Sequence, residues 1–276
     1  MQWIPDKTLT FKERPKYLNE ELEARCDDSL NPVLLSRHGN INRPANDDDL
    51  TVLLESLGAD VDLEAEFPPD EGWVQGATDF FLKTGPIVRI RRSLSENPSN
   101  FNRYKTTLGH ETGHVLCLRE PFEREGNVLN SQSRYLRYSG DRAQVHDWKE
   151  HQADYCSGAL LMPRRMLTLR FGSPPSQDSR LWISSGEASK LIARVAQEFR
   201  VSFEAARVRL TVTGYLRRSH QLVLPMGTKA PRLWSDKDSL SFLKENHLHR
   251  ELSAPMPAAS AMQSQVAPQQ LPLFSQ

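Results

Sequence analysis

Residues 108–116, LGHETGHVL, place two histidines four positions apart, with a glutamate directly after the first. On a helix, residues four apart lie on the same face, so His110 and His114 can present their imidazoles to one ion. This HExxH arrangement is typical of zinc sites in which the intervening glutamate, Glu111, acts as general base. Neutral imidazole is a good zinc ligand, and an unligated carboxylate can take a proton from an activated water. The alternative is a solvent-facing helix that carries two unrelated histidines.

A catalytic zinc needs a third protein ligand and one open coordination position. Glu150 lies near the start of a second predicted helix, WKEHQADYCSGALLMP, and Asp154 follows one turn later on the same face. We expect Glu150 to be the third metal ligand and Asp154 to accept the second N–H of a ligating histidine. Without the HExxH helix, the two acids would simply be an exposed pair that the helix dipole favours.

The residues around this second helix resemble a known family. The segments EHQAD at 150–154 and ALLMP at 159–163 resemble the second motif of the ImmA/IrrE family of metallopeptidases. Asp154 stands where the family usually has Asn and keeps a hydrogen-bond acceptor, while Tyr-Cys-Ser at 155–157 replaces the common Phe-Ala. Residues 103–109, before HExxH, and the later FRVS segment with the residues that follow it are also similar to family segments. The similar blocks occur in family order between residues 19 and 216.

This resemblance implies an α+β fold: a small zincin-like sheet with an HExxH active-site helix and a partner helix, followed by a helical C-terminal segment. It also implies a cytoplasmic metallo-endopeptidase with one Zn²⁺ per chain. Such an enzyme often cleaves a helix-turn-helix transcriptional repressor, in mobile-element induction or in the DNA-damage response. Two histidines and a carboxylate are also compatible with Mn²⁺.

Further side chains are candidates for stabilising the oxyanion that forms when a peptide carbonyl is attacked. His146 and His151 flank Glu150 in the sequence, and Tyr155 follows on the same helix. A surface histidine or a packed tyrosine is the alternative for each of them. Cys117 and Cys156 are expected to be small buried apolar residues rather than ligands.

The elements that must position these residues follow from periodicity and breakers. We predict helices at 19–36, 47–57, 148–163 and 187–199, one that restarts after the cap Ser202, and one at 236–252. Strands are predicted at 61–67, 73–82 and 86–94. Residues 120–147 are polar and aperiodic, which predicts a long loop.

Composition restricts the class of protein. The chain has 276 residues, 38% hydrophobic and 25% charged, values typical of a soluble globular protein. No stretch approaches the roughly 18 apolar residues of a membrane span, so we expect no membrane association. Three cysteines without a CxxC pair predict a reducing cytosol. We predict a metallopeptidase domain at 1–172, a helical, helix-turn-helix-like segment at 173–252 and a disordered tail at 253–276, which is rich in Pro, Ala, Ser and Gln.

Basic residues are concentrated in the later part of the chain, which allows DNA binding as an alternative function. Residues 187–232 carry nine basic residues against three acidic ones, which allows a DNA-binding face. In that case the chain is a non-catalytic DNA- or protein-binding regulator that retains the zincin scaffold. The side chains that would contact phosphates are Arg207, Arg209, Arg217 and Arg218. Alternatively the segment packs on the zinc domain and shapes the substrate groove, because Val201, Ala205, Val208 and Leu210 occupy most of its faces.

The last residues contain a further short motif. QLPLF at 270–274 resembles the peptide with which bacterial proteins dock on the replication sliding clamp. Its anchor residues are Gln270, Leu271, Leu273 and Phe274. A short apolar anchor on a flexible polar tail suits such docking, since few residues must be ordered. An accidental apolar end is the alternative.

Overall fold

Strands form one small sheet and two short pairs in the computed structural model, which describes residues 1–8, 10–71, 73–81, 84–125, 132–138 and 148–217. They are β1 (Gln2–Pro5), β2 (Glu13–Lys16), β3 (Asp60–Ala65), β4 (Val74–Phe81), β5 (Gly85–Arg91), β6 (Gln132–Tyr138), β7 (Leu181–Trp182) and β8 (Leu216–Arg217). The sheet has the order β3-β5-β4-β6, while β1 pairs with β2 and β7 with β8. The three strands predicted from the sequence are all present, and the α+β class is confirmed.

Helices occupy most of the remaining described residues. They are α1 (Asn19–His38), α2 (Asp47–Ser56), α3 (Arg92–Ser95), α4 (Phe101–Glu125), α5 (Trp148–Leu161), α6 (Arg164–Phe171), α7 (Gly186–Phe199) and α8 (Phe203–Val212), with single 3₁₀ turns at Pro69–Glu71, Pro98–Asn100 and Gln177–Ser179. Ser202 caps α8 as predicted, and its side chain accepts from the Ala205 N–H. The cap of α2 is Asn46 rather than one of the following aspartates. The β1–β2 hairpin and α6 were not predicted.

The inner strand β4 is the part of the sheet that meets the HExxH helix. It runs antiparallel to both of its neighbours, β5 and β6, whereas β3 runs parallel to β5. β4 is buried along nearly its whole length because strands flank both edges and α4 packs against it. The outer strand β3 instead alternates exposed acidic residues with partly buried apolar ones.

The predicted loop at 120–147 is wrong in two places. α4 continues through Pro121 to Glu125, and residues 132–138 form the edge strand β6. A proline inside a helix removes one backbone hydrogen bond, but the next residue, Phe122, stacks on Phe80 and meets Phe11 edge to face, and this packing offsets the loss. Residues 126–131 and 139–147 lie outside the described part.

The largest hydrophobic core joins the HExxH helix α4 and its partner α5 to helices on either side of them in the sequence. Side chains from α1, α2, α4 and α5 share it, including Leu22, Leu34, Leu50, Leu54, Leu108, Leu116 and Leu160. The same core extends to α7 and α8 through Ile192, Phe199 and Leu210. Lys105 on α4 donates to the Phe199 carbonyl at the end of α7, and burial lowers the pKa of this lysine to about 8. The described residues up to Arg217 belong to one compact unit. The division predicted at residue 172 is not tested by this grouping and stays a prediction.

Arg209 does not lie where the DNA-binding alternative needs a phosphate contact. Its guanidinium is buried, pairs with Glu23 of α1 at 2.7 Å and donates to the Met162 carbonyl at 2.9 Å. Val208, expected to pack, is 49% exposed instead. The buried face of α8 therefore differs from the predicted one. It contains the paired Arg209, whereas Val208 lies on the exposed face.

Several predictions lie outside the described residues. They are the helix at 236–252, the disordered tail at 253–276, Arg218, and the clamp-docking residues Gln270, Leu271, Leu273 and Phe274, all of which stay predictions. Among the helices that the structure describes, none has the length and apolar character needed to cross a membrane.

Replacing Arg209 with methionine tests the buried pair. We expect the free energy of unfolding to fall by about 3 kcal/mol, because the nearly buried Glu23 loses its closest charged partner and keeps only the Tyr155 hydroxyl and the more distant Arg164. Urea unfolding followed by circular dichroism measures the change. Arg207→Met on the same helix is the matched control, since Arg207 forms an exposed pair with Glu204 and should change stability by less than about 0.5 kcal/mol. Equal losses in the two variants would contradict the assigned role of Arg209.

Candidate active site

The two histidines of the HETGH stretch lie on the face of α4 that is turned towards α5. Their rings meet edge to face with centroids 4.6 Å apart, and both side chains are buried. Helical periodicity alone produces this pairing, because residues four apart are neighbours on the helix surface. The structure therefore brings His110 and His114 together, as their spacing predicted.

Glu150, from the first turn of α5, completes a three-residue cluster with them. Its Oε2 lies 3.2 Å from Nε2 of His110, and its Oε1 lies 3.5 Å from Nε2 of His114. One potential ligand atom from each of the three residues falls within 4.8 Å of the others. Three residues from two helices, the third distant in the sequence from the other two, thus meet at one point.

These separations fit a bound divalent metal. Ligand atoms at about 2.0–2.1 Å from a tetrahedral zinc stand about 3.3 Å from one another, which agrees with the distances between Glu150 and each histidine. Two imidazoles and one carboxylate are also the donor types of known catalytic zinc sites with an open position. The described residues can therefore hold a metal ion here, and its identity does not follow from the geometry.

Asp154 lies where a supporting acceptor is needed. Its Oδ1 is 2.8 Å from Nδ1 of His110. When Nδ1–H donates to this carboxylate, Nε2 of His110 carries the lone pair that a metal requires. The structure thus places Asp154 beside His110, and its role as acceptor for a metal-ligating histidine stays a prediction.

Glu150 has the ionisation state of a ligand. Burial raises the pKa of Glu150, but in the metal-free chain a hydrogen bond from His110 and the charges of protonated His114 and His110 outweigh it, and the pKa lies below the usual range. The carboxylate is therefore ionised at neutral pH. Neighbouring Asp154 opposes this effect only in part.

The general-base candidate, Glu111, is directed to the sheet instead of to α5. It is fully buried, and its Oε2 accepts a 2.6 Å hydrogen bond from the Thr78 hydroxyl on β4. Gly76 on the same strand leaves the space for it, since a Cβ there would lie 2.7 Å from Oε1 of Glu111. Sequence reasoning missed Thr78 and Gly76, because no local pattern connects a strand residue with a helix some thirty positions later.

Comparison with protein families matches residues 70–211 to the IrrE N-terminal-like domain, Peptidase_M78. The chain belongs to this peptidase family. The match includes β4, α4, α5, α7 and nearly all of α8. It therefore contains the cluster of His110, His114 and Glu150, together with Glu111 and the buried Arg209. It confirms the resemblance to the ImmA/IrrE family that the motifs indicated. No curated protein matches the chain.

The family's two motif helices approach each other unusually closely. A Cβ on Gly113 would lie 2.6 Å from the carbonyl oxygen of Ala153, so only glycine fits where α4 meets α5 next to His114. Gly109, one turn earlier, lies against Ser157 in the same way, with a Cβ-to-Oγ distance of 3.0 Å. This close packing sets the separation between the imidazoles and Glu150.

Of the candidate oxyanion donors, Tyr155 is directed to α1 instead of to the cluster. The Tyr155 hydroxyl donates to Glu23 of α1 at 2.9 Å, because Tyr155 lies about 100° around α5 from Asp154. His151 is exposed on α5 and His146 lies outside the described residues, so the oxyanion role of each stays a prediction. Cys117 and Cys156 are buried, as predicted, with their sulfur atoms 3.5 Å apart and outside the metal cluster.

Gly113→Ala tests whether the helix contact determines the site. The added methyl group meets backbone atoms of Ala153, so α5 must shift and we expect a loss of about 1–3 kcal/mol in unfolding free energy. Zinc affinity should fall in parallel, since Glu150 moves away from the histidines. Thermal melting and zinc titration measure the two effects.

Gly186→Ala at the start of α7 is the matched control, because a Cβ there meets no atom within 4 Å. Its stability should stay within about 0.5 kcal/mol of the parent. If Gly113→Ala behaved like this control, the close packing of α4 on α5 would not set the site.

Proposed function

We propose that this protein is a zinc-dependent endopeptidase in which His110, His114 and Glu150 hold the metal and Glu111 is the general base. The observation that carries the proposal is the convergence of these three ligands between α4 and α5, beside a glutamate held in place by Thr78. Family membership supports the peptidase class, and the geometry supports the assignment of residues.

When bound, a zinc ion supplies Lewis acidity, which polarises a peptide carbonyl and favours the ionisation of water. Asp154 keeps Nδ1 of His110 protonated, so that Nε2 serves the metal. Glu111 takes a proton from the attacking water onto its carboxylate and delivers it to the departing amine nitrogen. The hydrogen bond from Thr78 fixes the direction of the Glu111 carboxylate before substrate binds, which lowers the entropic cost of the reaction.

The substrate class we propose is a regulatory protein of the helix-turn-helix repressor type, cleaved in the cytoplasm. Support for it comes from the ImmA/IrrE motifs around His110 and Glu150. The competing proposal, a non-catalytic regulator on the same scaffold, relied partly on Arg209 as a phosphate contact, and that arginine is buried against Glu23. A regulator kept for its shape also has no need of a general base at position 111.

Glu111→Gln separates catalysis from metal binding. We expect the variant to keep about one zinc per chain, because the three ligands are unchanged. Its cleavage rate should fall by about 10²–10⁴-fold, since an amide cannot accept the proton. Elemental analysis measures the zinc. The variant is also used to capture a partner from lysate, and the captured protein is then incubated with the parent.

Glu123→Gln is the matched control for this experiment. Glu123 is an exposed glutamate on the same helix, paired with Arg119, and its substitution should leave both zinc content and cleavage unchanged. If Glu111→Gln cleaved the captured partner at the parental rate, Glu111 would not be the general base. A partner that the parent binds but leaves intact would favour the non-catalytic regulator.

A further inference from the structure

The metal ligand Glu150 lies in the weakest part of its helix. α5 begins at Trp148, so Glu150 is the third helical residue. The first four N–H groups of a helix have no partner within the helix, and helix ends fray for this reason. A carboxylate in that turn holds one position only if something outside the helix restrains the turn.

The amino-terminal segment makes contact with the first residue of α5. The indole Nε1 of Trp148 donates to Oδ1 of Asp6 at 3.1 Å. Asp6 is itself buried and immobilised, since it accepts from the backbone N–H groups of Thr8 at 3.0 Å and Phe11 at 3.1 Å. Burial raises the pKa of Asp6, but these hydrogen bonds outweigh it and the pKa lies below the usual range, so the acceptor is charged at neutral pH.

The second residue of α5 is restrained from the same side. Lys149 is buried, and its Nζ donates to the Thr10 hydroxyl at 2.9 Å, with Thr8 at 3.5 Å. One turn into the helix, the Gln152 side chain donates to the Pro15 carbonyl at 3.1 Å. Residues on both sides of Glu150 in the sequence are therefore hydrogen-bonded to the amino-terminal segment.

This segment is in turn fixed to the helix that carries the histidines. Phe11 packs edge to face on Phe122 near the end of α4, with centroids 5.1 Å apart, and lies 6.2 Å from the Trp148 ring. Phe11, Phe122 and the partly buried Trp148 share one apolar cluster with Leu118. The amino-terminal segment thus contacts both the first turn of α5 and the end of α4, and it connects the two helices.

We propose that Asp6 and Thr10 are positioning residues that hold the first turn of α5, and with it the Glu150 carboxylate, in register with His110 and His114. Both residues precede the part of the chain that matches the family, residues 70–211. The proposal rests on the metal centre proposed above. It adds that the affinity of this centre for zinc depends on a segment outside the family domain.

Trp148→Phe is the most conservative test, because it removes the indole N–H and keeps an aromatic ring. Asp6→Ala removes the acceptor from the other side. We expect each variant to weaken Zn²⁺ binding about tenfold, as loss of groups that orient a ligand does. Competition with a chromogenic chelator at pH 7.5 measures the dissociation constant. Trp182→Phe, on β7, is the matched control and should bind Zn²⁺ like the parent.

A double-mutant cycle with Glu150→Ala distinguishes positioning from general damage to the fold. If Trp148 acts through Glu150, Trp148→Phe has no further effect on Zn²⁺ affinity once Glu150 is removed. The same tenfold loss in both backgrounds, or no loss in the parent background, overturns the proposal.

Hydrogen exchange of the metal-free chain provides a measurement that needs neither zinc nor activity. The amides of residues 152–155 donate to the carbonyls of the first turn of α5, so they report on its opening. We expect them to exchange about tenfold faster in Trp148→Phe and Asp6→Ala, while amides of α7 are unchanged. Unaltered exchange at 152–155 refutes the positioning role. If the two variants exchange faster as expected but the parent binds no Zn²⁺, the proposed metal centre is overturned instead.

Discussion

The close contact between α4 and α5 is the constraint on which the site depends. Gly113 leaves room for the backbone of Ala153, and this lets a carboxylate on one helix reach between two imidazoles on the other. Neither helix alone contains a complete set of ligands. The geometry of the candidate metal site is therefore a property of helix packing.

The negative charge of the carboxylates around the two histidines favours the binding of a cation. Glu111, Glu150 and Asp154 place up to three negative charges around two imidazoles, in a region where Glu111 is fully buried. A buried carboxylate is costly unless it is paired or binds a metal, which applies to Glu111 and in part to Glu150, whereas the Asp154 side chain is 60% exposed. A divalent ion offsets two of these charges, while Thr78 stabilises the third by a hydrogen bond. Folding and metal binding are thus expected to be coupled at this site.

The later helices contribute to the stability of this core as well as covering it. Arg209 links α8 to Glu23 on α1 and to the carbonyl of Met162, just after α5, so the segment suspected of reading DNA is tied to the peptidase part. A buried arginine with a charged partner and a carbonyl acceptor satisfies the requirement that interior charges be paired. The same observation explains why Val208 is left exposed: α8 turns its arginine inward, and helix periodicity then places this valine on the outer side.

By itself the sequence determined the features that depend on local spacing. HExxH places His110 and His114 on one face, Glu150 and Asp154 share a second face, and Ser202 caps α8, because each follows from 3.6 residues per turn or from local capping. Only the tertiary structure decided which distant groups meet. The pairing of β6 with β4, the bond from Thr78 to Glu111 and the contact of Asp6 with Trp148 join residues far apart in the chain. Such contacts are set by packing and leave no periodic trace in the residues that make them.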